Sequence, residues 1–220
     1  REAQQAADFI FGNTIVTLGD PPRHTAVRRI VHEGFKPGAI AMFEPSIRQI
    51  IAEHVDRLPK TGSFDLVSEF ADVVPLEVVM HVTGFPSGEN DNLRRWMANQ
   101  VALFVGTAVL SEQQLVEHGR SYAEAITYLR NLVEIRRAAP GDDLISVMIT
   151  GDPHGDTLSV DEIVAQTMGL VSAGWETTGN AITKTGGDSW FFITADYAFG
   201  HALERDTENV VLKSGGKVLG

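Results

Sequence analysis

Ala173-Gly174-Trp175-Glu176-Thr177-Thr178 stands late in a long apolar stretch that opens at Ser159-Val160-Asp161-Glu162. The opening four residues spell a capping box: a Ser hydroxyl accepts the N–H of the third helical residue, and a Glu there reaches back to the Ser N–H. Ile163, Met168, Leu170 and Val171 carry the apolar run onward, so the spacing predicts the chain's longest helix from about Ser159 to Ile182. Gly169 and Gly174 lie inside it, each costing about 1 kcal/mol against Ala. Another body approaching the backbone closely would offset that cost. A Thr hydroxyl can bond back to the carbonyl one turn earlier and open the helix locally. Glu176 beside Thr177 supplies an acid and an alcohol, a pair able to relay protons. Taken alone, the six residues also suit a buried helix that uses a glycine for packing and ends in two threonines.

Residues 1–183 read as mostly helical. Asp20-Pro21-Pro22 is a helix start, with Asp20 as N-cap and Pro21 at the first helical position. That helix runs through Val27, Ile30 and Val31 to about Gly34. Pro37 opens a second, in which Ile40, Phe43, Ile47, Ile50, Ile51, Val55 and Leu58 keep helical spacing. Pro45 falls inside it and should kink it or mark a join. A third helix is predicted from Leu66 to Val82, nearly all apolar and therefore buried. Two amphipathic helices are expected at about 88–106 and 111–139. Asp142-Asp143 starts a short one around Leu144–Ile149, and Gly151–Asp156 forms a turn.

The bulk properties narrow the function. The chain has 220 residues, 43% of them hydrophobic, enough for one medium domain with a core. Its net charge of −11 is spread along the sequence, against nucleic-acid and anionic-membrane partners, which need a basic footprint. There is no cysteine, which excludes disulfides, thiolate nucleophiles and cysteine-held metals. The seven His show no metal-ligand spacing, so no metal site is expected. No apolar run is long enough for a membrane span.

His24 and Arg28, four apart, share one face of the first predicted helix. An ordinary surface helix would present such a pair too. Together with the residue 173–178 stretch, however, Asp20-Pro21-Pro22-Arg23-His24…Arg28 resembles the D-P-P-x-H-x-x-x-R segment of the cytochrome P-450 family. The 173–178 stretch is similar to that family's A-G-x-[DE]-T-[TS]. Phe35-Lys36-Pro37, Phe64-Asp65-Leu66-Val67, Pro75-Leu76, Gly84-Phe85-Pro86, Gly141–Ser146 and Leu158–Ile163 follow in the family's order. The resemblance covers about residues 10–183 and is to the soluble bacterial members.

It implies a mainly α fold and a haem cofactor. By the same resemblance His24 and Arg28 would bind the haem propionates, anions that suit such donors. Ala173 and Gly174 would let the macrocycle lie against the helix, and Glu176 and Thr177 would be the catalytic proton carriers. The implied activity is monooxygenation of a small apolar organic substrate with O2 and electrons from NAD(P)H, through a ferredoxin or flavoprotein partner in the cytoplasm. Its pocket would include Leu103, Phe104 and Val171.

The chain departs from the family in one chemical respect: it has no axial cysteine, the thiolate that drives O–O cleavage. Glu117…Arg120 and Glu134…Arg137 have the family's E-x-x-R spacing but precede residue 173, and read as exposed helical pairs. The expected entity is an internal, truncated piece, inactive by itself.

From about Lys184 the character changes. Trp190–Thr194 is a strand candidate, about 198–213 a helix, and Lys217–Leu219 another strand, a βαβ-like segment. Gly186–Gly200 resembles the branched-chain amino-acid or urea class of ABC-transporter substrate-binding proteins, in which Tyr197 would lie near the ligand cleft. The expected organisation is a partial cytochrome P-450 domain over 1–183 and a periplasmic-binding-protein lobe fragment over 184–220, joined as a chimera. The rival readings are a solute-binding-protein fragment with a foreign helical front, or a helical interaction protein without cofactor.

Overall fold

Helix boundaries follow the capping and proline chemistry of the chain. In a computed structural model the described residues are 9, 16–61, 63–106, 110–184, 189–190 and 217–218. They form α1 (Arg23–Glu33), α2 (Pro37–Arg57), a π-helical turn (Val67–Ala71), α3 (Val73–Thr83), α4 (Asn90–Gly106), α5 (Glu112–Ala138), α6 (Leu144–Thr150) and α7 (Val160–Lys184). Two short strands, β1 (Ser189–Trp190) and β2 (Lys217–Val218), pair in parallel. The strand and helix expected across 191–216, and Tyr197, lie outside the described residues.

Two expectations are corrected. Asp20 does not cap α1. The N-cap is Pro22, without a side-chain cap bond, and α1 begins at Arg23. Asp20 and Pro21 each precede a proline, which disfavours the α region for both, and Pro22, already in the α region, becomes the N-cap. The helix expected from Leu66 to Val82 is divided at Asp72. Pro75 has no N–H and would crowd the Ala71 carbonyl four residues back. The chain therefore widens to a π turn, with the Asp72 N–H on the Val67 carbonyl at 2.9 Å, and restarts so that Pro75 falls in the first turn of α3. Pro45, by contrast, is absorbed within α2, so no join exists there.

The chain forms two compact units, divided within α3 and α7: residues 1–34 with 80–172, and 35–79 with 173–220. In the first, Val27, Ile30, Leu93, Trp96, Leu129, Ile145, Met148 and Ile163 are almost wholly buried. Each such side chain contributes roughly 1.5–3 kcal/mol by leaving water. Tyr128 stacks on Phe85 at 6.0 Å and meets Trp96 at 5.0 Å, joining α4 to α5. Ser111 and Gln114 form a capping box at the start of α5, and Asp143 caps α6 through the Ser146 N–H at 2.8 Å. In the second unit Ile40, Phe43, Ile47 and Ile51 make the buried stripe of α2. The stripe continues through His54, whose Nε2 lies 3.0 Å from Glu77 Oε2 on α3.

Candidate functional site

The predicted capping box holds the start of α7. Ser159 N–H donates to Glu162 Oε2 at 2.8 Å, and Glu162 N–H donates to Ser159 Oγ at 3.2 Å. From there α7 runs as one α-helix to Lys184. The Thr177 hydroxyl donates back to the Ala173 carbonyl, as the sequence suggests. The expected local opening of the helix does not follow: α-helix continues unbroken across 173–178. A carbonyl has two lone pairs, so the hydroxyl can share Ala173 with the helical N–H rather than displace it.

The motif divides between two faces of α7. Ala173, Glu176, Thr177 and Asn180 are exposed, and at these spacings they lie on one side of the helix. Gly174, Trp175 and Gly179 turn the other way, toward the π turn and α3. A Cβ on Gly174 would stand 3.2 Å from Val79 Cγ2, and one on Gly179 would stand 2.8 Å from the Ala71 carbonyl oxygen. Trp175 Nε1–H donates to the Asp72 carbonyl at 2.9 Å and to Asp72 Oδ1 at 3.0 Å. The body that comes close to the glycine backbone is thus the chain itself. Gly169 has open space where its side chain would be.

His24 and Arg28 lie one turn apart on α1, His24 half-buried and Arg28 exposed. Their basic neighbours are engaged. Arg23 grips Glu162 at 2.6 and 2.5 Å, and Arg29 bonds Asp152 at 2.9 Å and also Asp156. Among the described residues Arg28 forms no ion pair. Burial pushes the Glu162 carboxyl up, but the bonds from Arg23 and Ser159 outweigh it and hold the group below its ordinary value. Arg29, helped by backbone N–H groups, holds Asp152 low in the same way.

His24 and Arg28 belong to the first unit, and Ala173, Gly174, Glu176 and Thr177 to the second. Sequence reasoning missed Asp72, Val79 and Gly179. Gly179 carried a signal, being a third glycine in one apolar helix. Asp72 and Val79 carried none, because their roles depend on where the π turn brings them. Of the two misplaced E-x-x-R pairs, Arg137 does bond Glu134 at 2.9 Å on the exposed face of α5, and Glu117 and Arg120 are exposed.

A family model described as periplasmic binding protein matches residues 136–220. Among curated proteins, a mycinamicin IV hydroxylase/epoxidase of Micromonospora griseorubida is 33% identical over 164 residues, which is 74% of this chain and 40% of that protein. Among solved structures, ligand-free cytochrome P450 TbtJ1 superposes with a TM-score of 0.69 at 32% identity, over 80% of this chain and 46% of that one. P450BioI in complex with an acyl carrier protein superposes with a TM-score of 0.72 at 22% identity, over 84% of this chain and 46% of that one. The chain therefore spans under half the length of these three relatives. Among its described residues no helix is long and apolar enough to cross a membrane. Helical order, the two motif segments and these similarities converge: over most of its length the chain is homologous to the cytochromes P450 and shares their fold.

Proposed function

We propose that residues 1–183 are the part of a cytochrome P-450 monooxygenase that carries propionate donors and an oxygen-side helix face, and that these 220 residues do not turn over by themselves. The whole reaction would hydroxylate a small apolar organic substrate with O2 and electrons from NAD(P)H, delivered in the cytoplasm by a ferredoxin or flavoprotein. The observation that carries the reading is the outward face of α7, where Ala173, Glu176 and Thr177 stand together and exposed in a chain homologous to that family.

The residues do not make a complete haem-thiolate site, because the chain contains no cysteine. Its own groups nevertheless have definite chemistry. His24 and Arg28 can donate to carboxylates, and Arg28 forms no ion pair among the described residues. Glu176 and Thr177 present a carboxylate and a hydroxyl oxygen on one exposed face; the hydroxyl proton is engaged by Ala173, which leaves that oxygen able to accept. Such a pair can hold and pass a proton. Ala173 keeps the face low for a flat group, and Gly174 allows α7 to seat against Val79.

The organisation proposed is a partial P-450 domain over 1–183 and a binding-protein-like fragment over 184–220. The match of residues 136–220 to the periplasmic-binding-protein model supports the second part. It also favours a second reading, a solute-binding-protein fragment. Against that reading, residues 136–184 contain the end of α5 and all of α6 and α7, and the P-450 superposition covers 80% of the chain, more than the residues before 136 could supply.

The test supplies the purified chain with haem, dioxygen and a reductase system in the presence of an apolar substrate panel, and measures hydroxylated product. None is expected; product above a haem-only control overturns the inactivity.

A further inference from the structure

The second half of α7 is intrinsically soft. Gly174 and Gly179 free the backbone, each without a side chain to restrict it. Yet this is the segment that presents Glu176 and Thr177. What meets its opposite side is not generic apolar packing. Trp175 donates a two-pronged hydrogen bond to Asp72, at 2.9 Å to the carbonyl and 3.0 Å to the carboxylate. Four residues on, one helical turn along the same side, Gly179 comes so close to Ala71 that a Cβ would stand 2.8 Å from its carbonyl oxygen.

The Ala71 carbonyl owes its availability to Pro75, while Asp72 stands at the join between the π turn and α3. Proline has no N–H to give the Ala71 carbonyl, and the π turn that results swings residues 71 and 72 toward α7. The indole is directional: its N–H meets Asp72 at only one rotational setting of the helix. Gly179 admits the Ala71 carbonyl only at that same setting.

We propose that Trp175 is a positioning residue: with Gly179 it docks α7 on the Ala71–Asp72 corner and fixes the helix rotation that turns Glu176 and Thr177 outward. The inference deepens the functional reading, since it is that reading which makes the outward face the working one. The rotation itself involves no haem, so its test succeeds or fails apart from any monooxygenase activity.

Because the chain has no cysteine, a single introduced thiol reports one helix face. Asn180 is exposed and Thr178 is half-buried, on nearly opposite sides of α7. N180C and T178C are each made in the full chain, alone and with W175F, and alkylation rates are read by mass spectrometry alongside far-ultraviolet circular dichroism. W175F keeps an aromatic ring and removes the N–H. At unchanged helicity, T178C is expected to react about tenfold faster while N180C reacts no faster. If neither rate changes, or both rise together, Trp175 packs without setting rotation and the proposal fails. If W175F loses helix altogether, D72A decides, since it removes one acceptor and keeps the carbonyl. A smaller shift in the same direction supports the proposal, and none overturns it.

Discussion

Arg136 Nε sits 2.5 Å from Asp143 Oδ2, while its Nη2 donates to the Gly84 carbonyl at 2.7 Å. One guanidinium thereby ties the end of α5 to the start of α6 and to the turn after α3. Asp143 is nearly buried and also caps α6 through Ser146. Gly84 has φ +96°, and a Cβ there would come 2.5 Å from Asp143 Cγ. Gly84→Ala combines left-handed strain with that clash, so a loss of about 3 kcal/mol is expected. Arg136→Met leaves a buried carboxylate without its partner and is expected to cost a similar amount, about 3 kcal/mol. Urea unfolding measures both; a loss below about 1 kcal/mol in either would show that the cluster is not holding these elements together.

Acid sensitivity follows from the carboxylates held low. Burial pushes Glu162 up, but Arg23 and Ser159 bring it below its ordinary value, and Arg29 does the same for Asp152. A depressed carboxyl contributes stability that is complete above its unfolded value and lost as pH falls through its folded value. Stability from these pairs is therefore constant near neutrality and declines on the acid side, beneath the ordinary carboxylate range. Arg23→Met should lower stability at neutral pH and flatten the acid limb of a urea-midpoint profile. A limb parallel to that of the parent would remove Glu162 from the account.

Three glycines in one helix should respond in three ways to alanine. Gly169 has open space, so Gly169→Ala should gain up to about 1 kcal/mol from helix propensity. At Gly174 the same gain is offset by a Cβ 3.2 Å from Val79, a branched side chain with little rotational freedom, and the net effect should be near zero. At Gly179 the obstacle is a backbone carbonyl at 2.8 Å, which cannot move aside, and Gly179→Ala should lose more than about 1 kcal/mol. Thermal or urea unfolding of the three variants gives the order; Gly179→Ala at least as stable as Gly169→Ala would contradict the close approach.

The helical plan was legible because its signals are local. Ser159 and Glu162, Asp143 and Pro37 announce helix starts through backbone chemistry, and the apolar spacing of Ile40, Phe43, Ile47 and Ile51 names the buried face of α2. The start of α1 was misjudged because Asp20 is a good cap in isolation, and the pairing of Pro21 with Pro22 decides otherwise. The division before α3 follows from Pro75 acting four residues upstream, on Ala71, where apolar periodicity is blind. In the candidate site the sequence paired Ala173 with Gly174 and Glu176 with Thr177, and the fold instead turns Gly174 toward Val79 and leaves the other three exposed. The partners of the opposite face were not readable, because Trp175 finds Asp72 across 103 positions of chain. The same holds for basic residues: Arg23, His24, Arg28 and Arg29 look alike in sequence, and only the fold commits Arg23 and Arg29 to carboxylates.

The proposed organisation predicts that the helical part does not depend on the tail. A chain ending at Lys184 should retain the helical circular dichroism of α1–α7 and unfold within a few degrees of the 220-residue chain. Loss of helix on removing residues 185–220 would show that the two parts form one folding unit.

A P-450-type helical body stands here without the cysteine that defines P-450 chemistry. The most direct test is the absorption spectrum of the purified chain after haem titration, reduction and exposure to carbon monoxide. His24 and Arg28 can attract propionates and apolar burial can hold the ring, so association no tighter than about micromolar, roughly −8 kcal/mol, is expected. With no thiol in the chain, the complex should lack the thiolate-type band and absorb at shorter wavelength. Arg28→Met should weaken the association. A thiolate-type band from this polypeptide alone would rule out a P-450 body without an axial thiolate.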